Sequence, residues 1–196
     1  MIDSTGVQVY GADQWRALRS AERIERECVK LHAVRDLDTG EILDWALTRS
    51  DGYGSGDANA GARMLNQLID EGLEIENAYA DGAYDSKWFR QAVWRGGGQA
   101  IIPPPKHATL SRGYEHGQDI VDWQSERDAQ VLGCARDRKV WKQEAGYHVR
   151  STVETTMNRL KTLFGEGLAT SNPERQRLDI ALRVELLNQH LVRSLA

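Results

Sequence analysis

The chain has 196 residues, of which 40% are hydrophobic and 28% are charged, with a formal net charge of −4 at pH 7. This length and composition fit one globular domain with a sizeable core. No stretch approaches the roughly 20 apolar residues that span a bilayer, and the first residues are neither basic nor apolar enough for a signal peptide, so we expect a cytoplasmic protein.

Three strands are predicted in the first fifty residues, because apolar and polar residues alternate there. They are Ile2–Tyr10, Val29–Val34 and Glu41–Thr48. The turn at Asp36–Gly40 joins the last two, which predicts a three-stranded antiparallel meander. Asp13–Glu27 is rich in Arg and Glu and is predicted to be a charged loop compatible with a helix.

Helices and strands alternate in the rest of the chain, bracketed by capping residues, glycines and prolines. The predicted helices are Ala58–Glu71 with Asp57 as its cap, Lys87–Arg95 with Ser86 as its cap, Ile120–Leu132, Tyr147–Phe164 and Glu174–Leu195. The predicted strands are Leu73–Ala80 and Gln99–Ile102. This order predicts an α/β fold with a mixed five-stranded sheet, in which three antiparallel strands are followed by parallel additions and helices flank the sheet.

Three acidic residues stand out by their positions. Asp3 and Asp81 lie at the ends of predicted strands, in Ile2–Gly6 and Ala80–Asp85, and Glu154 lies inside a predicted helix. Carboxylates presented on separate elements can hold a pair of Mg²⁺ ions against a phosphodiester. This pattern indicates metal-dependent cutting and joining of DNA. Asp85 is close to Asp81 but precedes Ser86, which favours a role at a helix start.

The helix around Glu154 also carries a polar stripe. Tyr147, Arg150, Glu154 and Lys161 fall within an arc of about 60° at about 100° per residue, and the apolar residues occupy a different arc. An alternative stays open on the helix alone: an Arg and a Glu four residues apart are a common solvated pair, worth a few tenths of a kcal/mol.

These motifs resemble the DDE transposases of bacterial and archaeal insertion sequences, in the related families numbered four and five. The matching pieces are the strand I-D-S-T-G with Asp3, the segment A-D-G-A-Y-D-S with Asp81, the stretch I-I-P-P-P-K at Ile101–Lys106, and the signature Y-x2-R-x3-E-x6-K filled by Tyr147, Arg150, Glu154 and Lys161. The resemblance spans almost the whole chain, and the motifs occur in the family's order.

The resemblance implies an RNase H-like fold and a DNA-cutting and DNA-joining enzyme. Asp3, Asp81 and Glu154 would be the catalytic residues and would bind two Mg²⁺ (or Mn²⁺) ions about 3.5–4 Å apart. Tyr147, Arg150 and Lys161 would position the transposon end by contacting DNA. Since two ends must be brought together, we expect a homodimer on DNA and association with the nucleoid.

The domain organisation is predicted as a single catalytic domain over residues 1–196. Such transposases usually carry a DNA-binding region before the first catalytic strand, and none precedes Asp3 here. Two alternatives follow. The chain is an RNase H-like nuclease that cuts without joining, or a non-catalytic fragment that binds DNA or full-length transposase and inhibits it.

Overall fold

The computed structural model describes residues 1–9, 28–49, 56–111, 115 and 117–195, with side chains up to residue 191 in the last helix. The predicted charged loop at Asp13–Glu27 and the end of the first predicted strand at Tyr10 lie outside these ranges.

The predicted antiparallel meander is confirmed. It consists of β1 (Ile2–Val9), β2 (Cys28–Arg35) and β3 (Ile42–Arg49). The register places Asp3 opposite Ala33 in β2. Asn188 holds the start of β3, because its side-chain amide both accepts from the Ile42 N–H and donates to the Ile42 carbonyl, each at 3.0 Å.

The later strands differ from the prediction of one five-stranded sheet. Strands β4 (Asn77–Tyr79) and β5 (Gln99–Ile101) pair in parallel as a separate two-stranded sheet, and a short strand not predicted, β6 (Gly167–Leu168), lies parallel to the end of β1. Strand β4 is shorter than the predicted Leu73–Ala80, and just before it the Ile75 N–H donates to the Gly96 carbonyl. This mixed α/β arrangement is compatible with an RNase H-like domain.

Five α-helices are described. They are α1 (Asp57–Asp70), α2 (Lys87–Arg95), α3 (Trp123–Glu144), α4 (Ser151–Phe164) and α5 (Pro173–Leu195). The Ser86 hydroxyl caps α2 as predicted, by accepting from the Phe89 N–H. Helix α1 is capped by Gly56 rather than Asp57, and α3 begins later and continues well past the predicted end at Leu132.

The main sheet separates two apolar cores, because neighbouring residues of a strand point to opposite faces. One core contains Ile2 and packs against α1, α2 and the two-stranded sheet. The other contains Val7 and Val9 and packs against α4 and α5. Alternation along β1 therefore turns Asp3 towards α4 and its neighbour Ser4 towards α1.

Candidate active site

Asp3 is held rigidly by its strand. It is the second residue of β1 and is only 8% exposed. One carboxylate oxygen accepts a hydrogen bond from the Ser4 N–H at 2.8 Å. The second oxygen faces the start of α4. The strand thus presents a single, nearly buried carboxylate at this point of the sheet.

Asp81 lies in a turn just beyond β4. Its carboxylate accepts from the Ala83 N–H at 2.9 Å and so caps a 3-10 turn at Gly82–Tyr84. Tyr84 fixes this turn, since its fully buried ring packs edge-on against Phe89 with the centroids 5.2 Å apart. The Asp81 side chain itself is 39% exposed and is accessible to a ligand.

Glu154 lies in the first turn of α4 with a side chain that is 53% exposed. The predicted continuous helix Tyr147–Phe164 is wrong at its beginning, because Tyr147–Arg150 form a 3-10 turn that follows the left-handed Gly146. The tighter turn changes the angular spacing before Ser151. The predicted stripe therefore does not describe how Tyr147 and Arg150 meet the acids.

Arg150 brings the three acids together. Its Nη2 lies 3.1 Å from Asp3 Oδ2 and 3.7 Å from Asp81 Oδ2, and its Nη1 lies 2.7 Å from Glu154 Oε1. Three carboxylates from a strand, a loop and a helix thus share one guanidinium. The open alternative, a solvated Arg–Glu helix pair, accounts for only one of these contacts.

The electrostatics of the cluster favour a bound cation. Burial raises the pKa of Asp3, the Ser4 N–H and Arg150 lower it, and Asp81 and Glu154 raise it again, with a net upward shift. Burial lowers the pKa of Arg150, but Asp3 and the other acids raise it above its usual value. Arg150 is therefore charged throughout the physiological range. Mutual repulsion among the acids is relieved when a positive charge lies between them.

The donor set suits a divalent metal ion, because Mg²⁺ and Mn²⁺ prefer carboxylate oxygens. The geometry around Arg150 is not a formed metal site: within the described ranges, no group of three or more His, Cys, Asp or Glu side chains is placed to hold an ion. The guanidinium occupies the space between the acids. The three carboxylates would have to close around a metal ion that replaced this guanidinium.

Tyr147 and Lys161 lie in different surroundings. The Tyr147 hydroxyl donates to the Ala80 carbonyl at 3.1 Å, and burial raises the pKa of this tyrosine to about 12. This contact connects the 3-10 turn that precedes α4 to Ala80, the residue just before Asp81. Lys161 lies seven residues after Glu154, about 10 Å farther along α4. It takes part in none of the ion pairs described for the three acids.

Sequence reasoning missed a buried ion-pair network behind Asp81. Asp85, predicted as a helix-start residue, has a side chain only 2% exposed and accepts from Arg90 Nε at 2.8 Å and Arg127 Nε at 3.1 Å. Arg90 is itself 1% exposed. A pairing across 42 residues leaves no local spacing signal. This network fixes the loop that carries Asp81.

A second network lies on the opposite face of β1. Asp57, predicted as a helix cap, instead accepts from Ser4 Oγ at 3.1 Å and from Lys30 Nζ at 2.8 Å. His32 is fully buried beside it, with Nδ1 at 3.7 Å from Asp57 Oδ1. These contacts anchor the strand position next to Asp3. Lys30 and His32 are two residues apart in β2, and this spacing indicates in the sequence that both side chains lie on the same face of the sheet.

A comparison with known protein families matches residues 1–188 to the family described as the transposase DDE domain. The match covers nearly the whole chain and includes all three acids. The chain belongs to the transposase DDE domain family. Transposases act on DNA, and DDE transposases generally use divalent metal ions, so membership agrees with the oxygen-rich cluster around Arg150.

No solved structure matches this transposase domain. Among its described helices, none combines the length and the apolar character that crossing a bilayer requires. Membership of the family confirms the general resemblance stated from the motifs, whereas the subfamily and the Y-R-E-K signature stay predictions.

Proposed function

We propose that this chain is the catalytic domain of an insertion-sequence transposase of families four and five, with an RNase H-like fold. It cuts DNA strands at transposon ends and joins them to target DNA. In the first reaction water attacks the scissile phosphorus and the 3′ oxygen leaves. In the second, that 3′-hydroxyl attacks a target phosphodiester and displaces another 3′ oxygen. One site serves both displacements.

The observation that carries this proposal is the convergence of Asp3, Asp81 and Glu154 on one cationic group. These residues would hold the divalent ions. When bound, two such ions supply a nucleophile of lowered pKa and stabilise the charge on the leaving oxygen. The rigid Asp3 would define the position of the site. The more exposed Asp81 and Glu154 would adjust their carboxylates to the ligand.

Arg150 is proposed to exchange partners during this cycle. With the acids neutralised by divalent ions, its guanidinium would be released to a DNA phosphate, which it can contact with two parallel N–H donors. Lys161 would bind a phosphate farther along the same helix. Tyr147 would contact the transposon end, by stacking on a displaced base or by hydrogen-bonding a phosphate.

The functional assembly is proposed to be a homodimer on DNA, located at the nucleoid. Joining requires that two transposon ends meet, and each end needs one catalytic domain. The net charge of −4 requires that DNA binding depend on local basic surfaces rather than on the overall field.

The test is nicking of supercoiled plasmid in millimolar Mg²⁺ by the purified chain. We expect nicking, its loss in Asp81→Ala without loss of fold, and its retention in the control Asp38→Ala, which changes an exposed acid in the β2–β3 turn. Nicking by Asp81→Ala would remove the metal assignment. A folded chain that binds DNA but never nicks would support the inhibitor alternative.

A strand-transfer assay with pre-cut ends separates the transposase from a nuclease. Joined products are expected for the transposase. Nicking without any joining would reduce the function to RNase H-like cleavage.

A further inference from the structure

A cavity of about 370 Å³ opens beside the acid cluster. One wall is the edge of the site already described, formed by Tyr147, Arg150 and Glu154. The opposite wall is the end of α3, where Lys139 and Lys142 line the cavity. Neither lysine belongs to the motifs that identify the family. Their charges outweigh the one carboxylate in the lining.

A break in α3 brings these lysines to the cavity. The helix is interrupted at Asp137, whose φ of −159° and ψ of 106° are not helical. The Asp137 carboxylate accepts from the N–H groups of Lys139 at 2.8 Å and Val140 at 3.1 Å, so it caps a new helical segment. Without this break the last two turns of α3 would continue in the direction of the first part.

The packing of Trp141 fixes the second segment. A Cβ atom at Gly133 would lie only 2.7 Å from Trp141 Cδ1, so glycine leaves the space that the indole needs. The indole in turn lies 6.2 Å from the Tyr147 ring, centroid to centroid. The lysine-bearing segment is thereby attached to the residue that also contacts the end of β4.

The amines of this wall form no ion pair or hydrogen bond with a carboxylate in the described part of the chain, although the pKa of Asp137 is lowered by backbone hydrogen bonds and, to a smaller extent, by the charge of Lys139. Lys142 Nζ lies 5.1 Å from the centre of the Tyr147 ring, an attractive but weak contact at an exposed position. Both lysines are exposed. On the other wall, Arg150 Nε is a buried donor for which the described residues supply no acceptor. The cavity thus presents three cationic groups with unused hydrogen-bond donors.

We infer that this cavity binds a backbone phosphate of the DNA strand next to the scissile phosphodiester, with Lys139 and Lys142 as its contacts. This inference rests on the proposed function, since the adjacent acids define where the scissile bond lies. A phosphate supplies negative charge and acceptor oxygens to the two amines and to the unpaired Arg150 Nε. Lysines bind phosphate as mobile point charges and do not need a fixed geometry.

The contribution of the lysines is measured by fluorescence anisotropy of a labelled DNA duplex over a series of salt concentrations, without divalent ions. Each phosphate that is no longer neutralised reduces the magnitude of the slope of log K against log salt by about 0.9 for B-DNA. Since both lysines contact one phosphate, we expect Lys139→Ala/Lys142→Ala to reduce the magnitude of the slope by about 0.9. Lys139→Arg/Lys142→Arg should restore it.

The matched control is Lys87→Ala/Arg136→Ala, which removes two exposed cations that do not line the cavity. This control should leave the slope unchanged. Equal slopes for the wild type and the Lys139/Lys142 variant would overturn the inference, as would an equal loss in the control.

The two proposals fail separately. Plasmid nicking with an unchanged slope in the Lys139/Lys142 variant would leave the transposase function in place and remove the phosphate site. A reduced slope in the Lys139/Lys142 variant, together with a wild-type chain that never nicks, would support the phosphate site and contradict the catalytic function.

Discussion

Replacing Arg150 with alanine removes the cation shared by Asp3, Asp81 and Glu154. The contact that dominates the stability loss is with Asp3, because the two side chains are 20% and 11% exposed. Removing one partner of a buried pair costs about 3–5 kcal/mol. The pairs with Asp81 and Glu154 involve carboxylates that are 39% and 53% exposed, and solvent screening makes them worth little. We expect a loss near the lower bound, about 3 kcal/mol.

The assay is urea unfolding of the wild type and Arg150→Ala at neutral pH, with and without Mg²⁺. The variant presents three acids without their counter-charge, so it should bind the ion more tightly. Free Mg²⁺ at a hundred times its dissociation constant would stabilise the folded variant by about 2.7 kcal/mol. The gain should be smaller for the wild type, in which the ion must displace the guanidinium. NaCl at equal ionic strength should produce neither gain.

The matched control is Arg159→Ala, which removes an exposed cation from the same helix. This change should cost less than about 0.5 kcal/mol. A loss of unfolding free energy in Arg150→Ala that is as small as that of the control would contradict the assigned role of Arg150. Equal stabilisation of the wild type and the variant by Mg²⁺ would contradict it too.

Three further predictions concern the groups that support the site. Burial lowers the pKa of His32 to about 4, so the folded state favours the neutral imidazole, and up to about 3 kcal/mol of unfolding free energy is lost as the pH falls from 6.5 to 4. His32→Gln should flatten this part of a pH series of urea unfolding curves, and an unchanged series would contradict the assignment. Arg90→Met leaves the buried Asp85 with one cation fewer and should lower the free energy of unfolding in urea by about 3–5 kcal/mol. The exposed control Arg95→Ala should lower it by less than about 1 kcal/mol, and equal losses would show that burial does not matter here. Tyr147→Phe removes the hydrogen bond to the carbonyl after β4 and should lower stability by about 1–2 kcal/mol in thermal unfolding, and an unchanged midpoint would show that this bond is not needed.

The strands of the main sheet follow from local pattern, but their assembly does not. Alternating apolar residues locate β1 to β3, and Ser86 marks the start of α2. Strands β4 and β5 pair with each other as a second sheet, through residues such as Ala78 and Ala100. Such a pairing joins residues that are distant along the chain and leaves no periodic signal.

The three acids that meet at Arg150 stand out in the sequence by their motifs, whereas their common partner does not. Helical spacing placed Arg150 beside Glu154, but only the 3-10 turn after Gly146 brings its guanidinium to Asp3 as well. Asp85 was misassigned for a related reason. Asp85 is buried because it pairs with Arg90 in the folded structure. The local sequence does not indicate this pairing, since an acidic residue near a helix start is usually exposed.

Fe²⁺-directed cleavage shows whether Asp3, Asp81 and Glu154 together surround the proposed divalent ions. Fe²⁺ bound in place of Mg²⁺ generates hydroxyl radicals with ascorbate and hydrogen peroxide, which cut the nearby backbone. We expect cuts close to Asp3, Asp81 and Glu154 that excess Mg²⁺ suppresses and that Asp81→Asn abolishes. Cuts confined to other segments, or cuts near only one of the three acids, would contradict this arrangement.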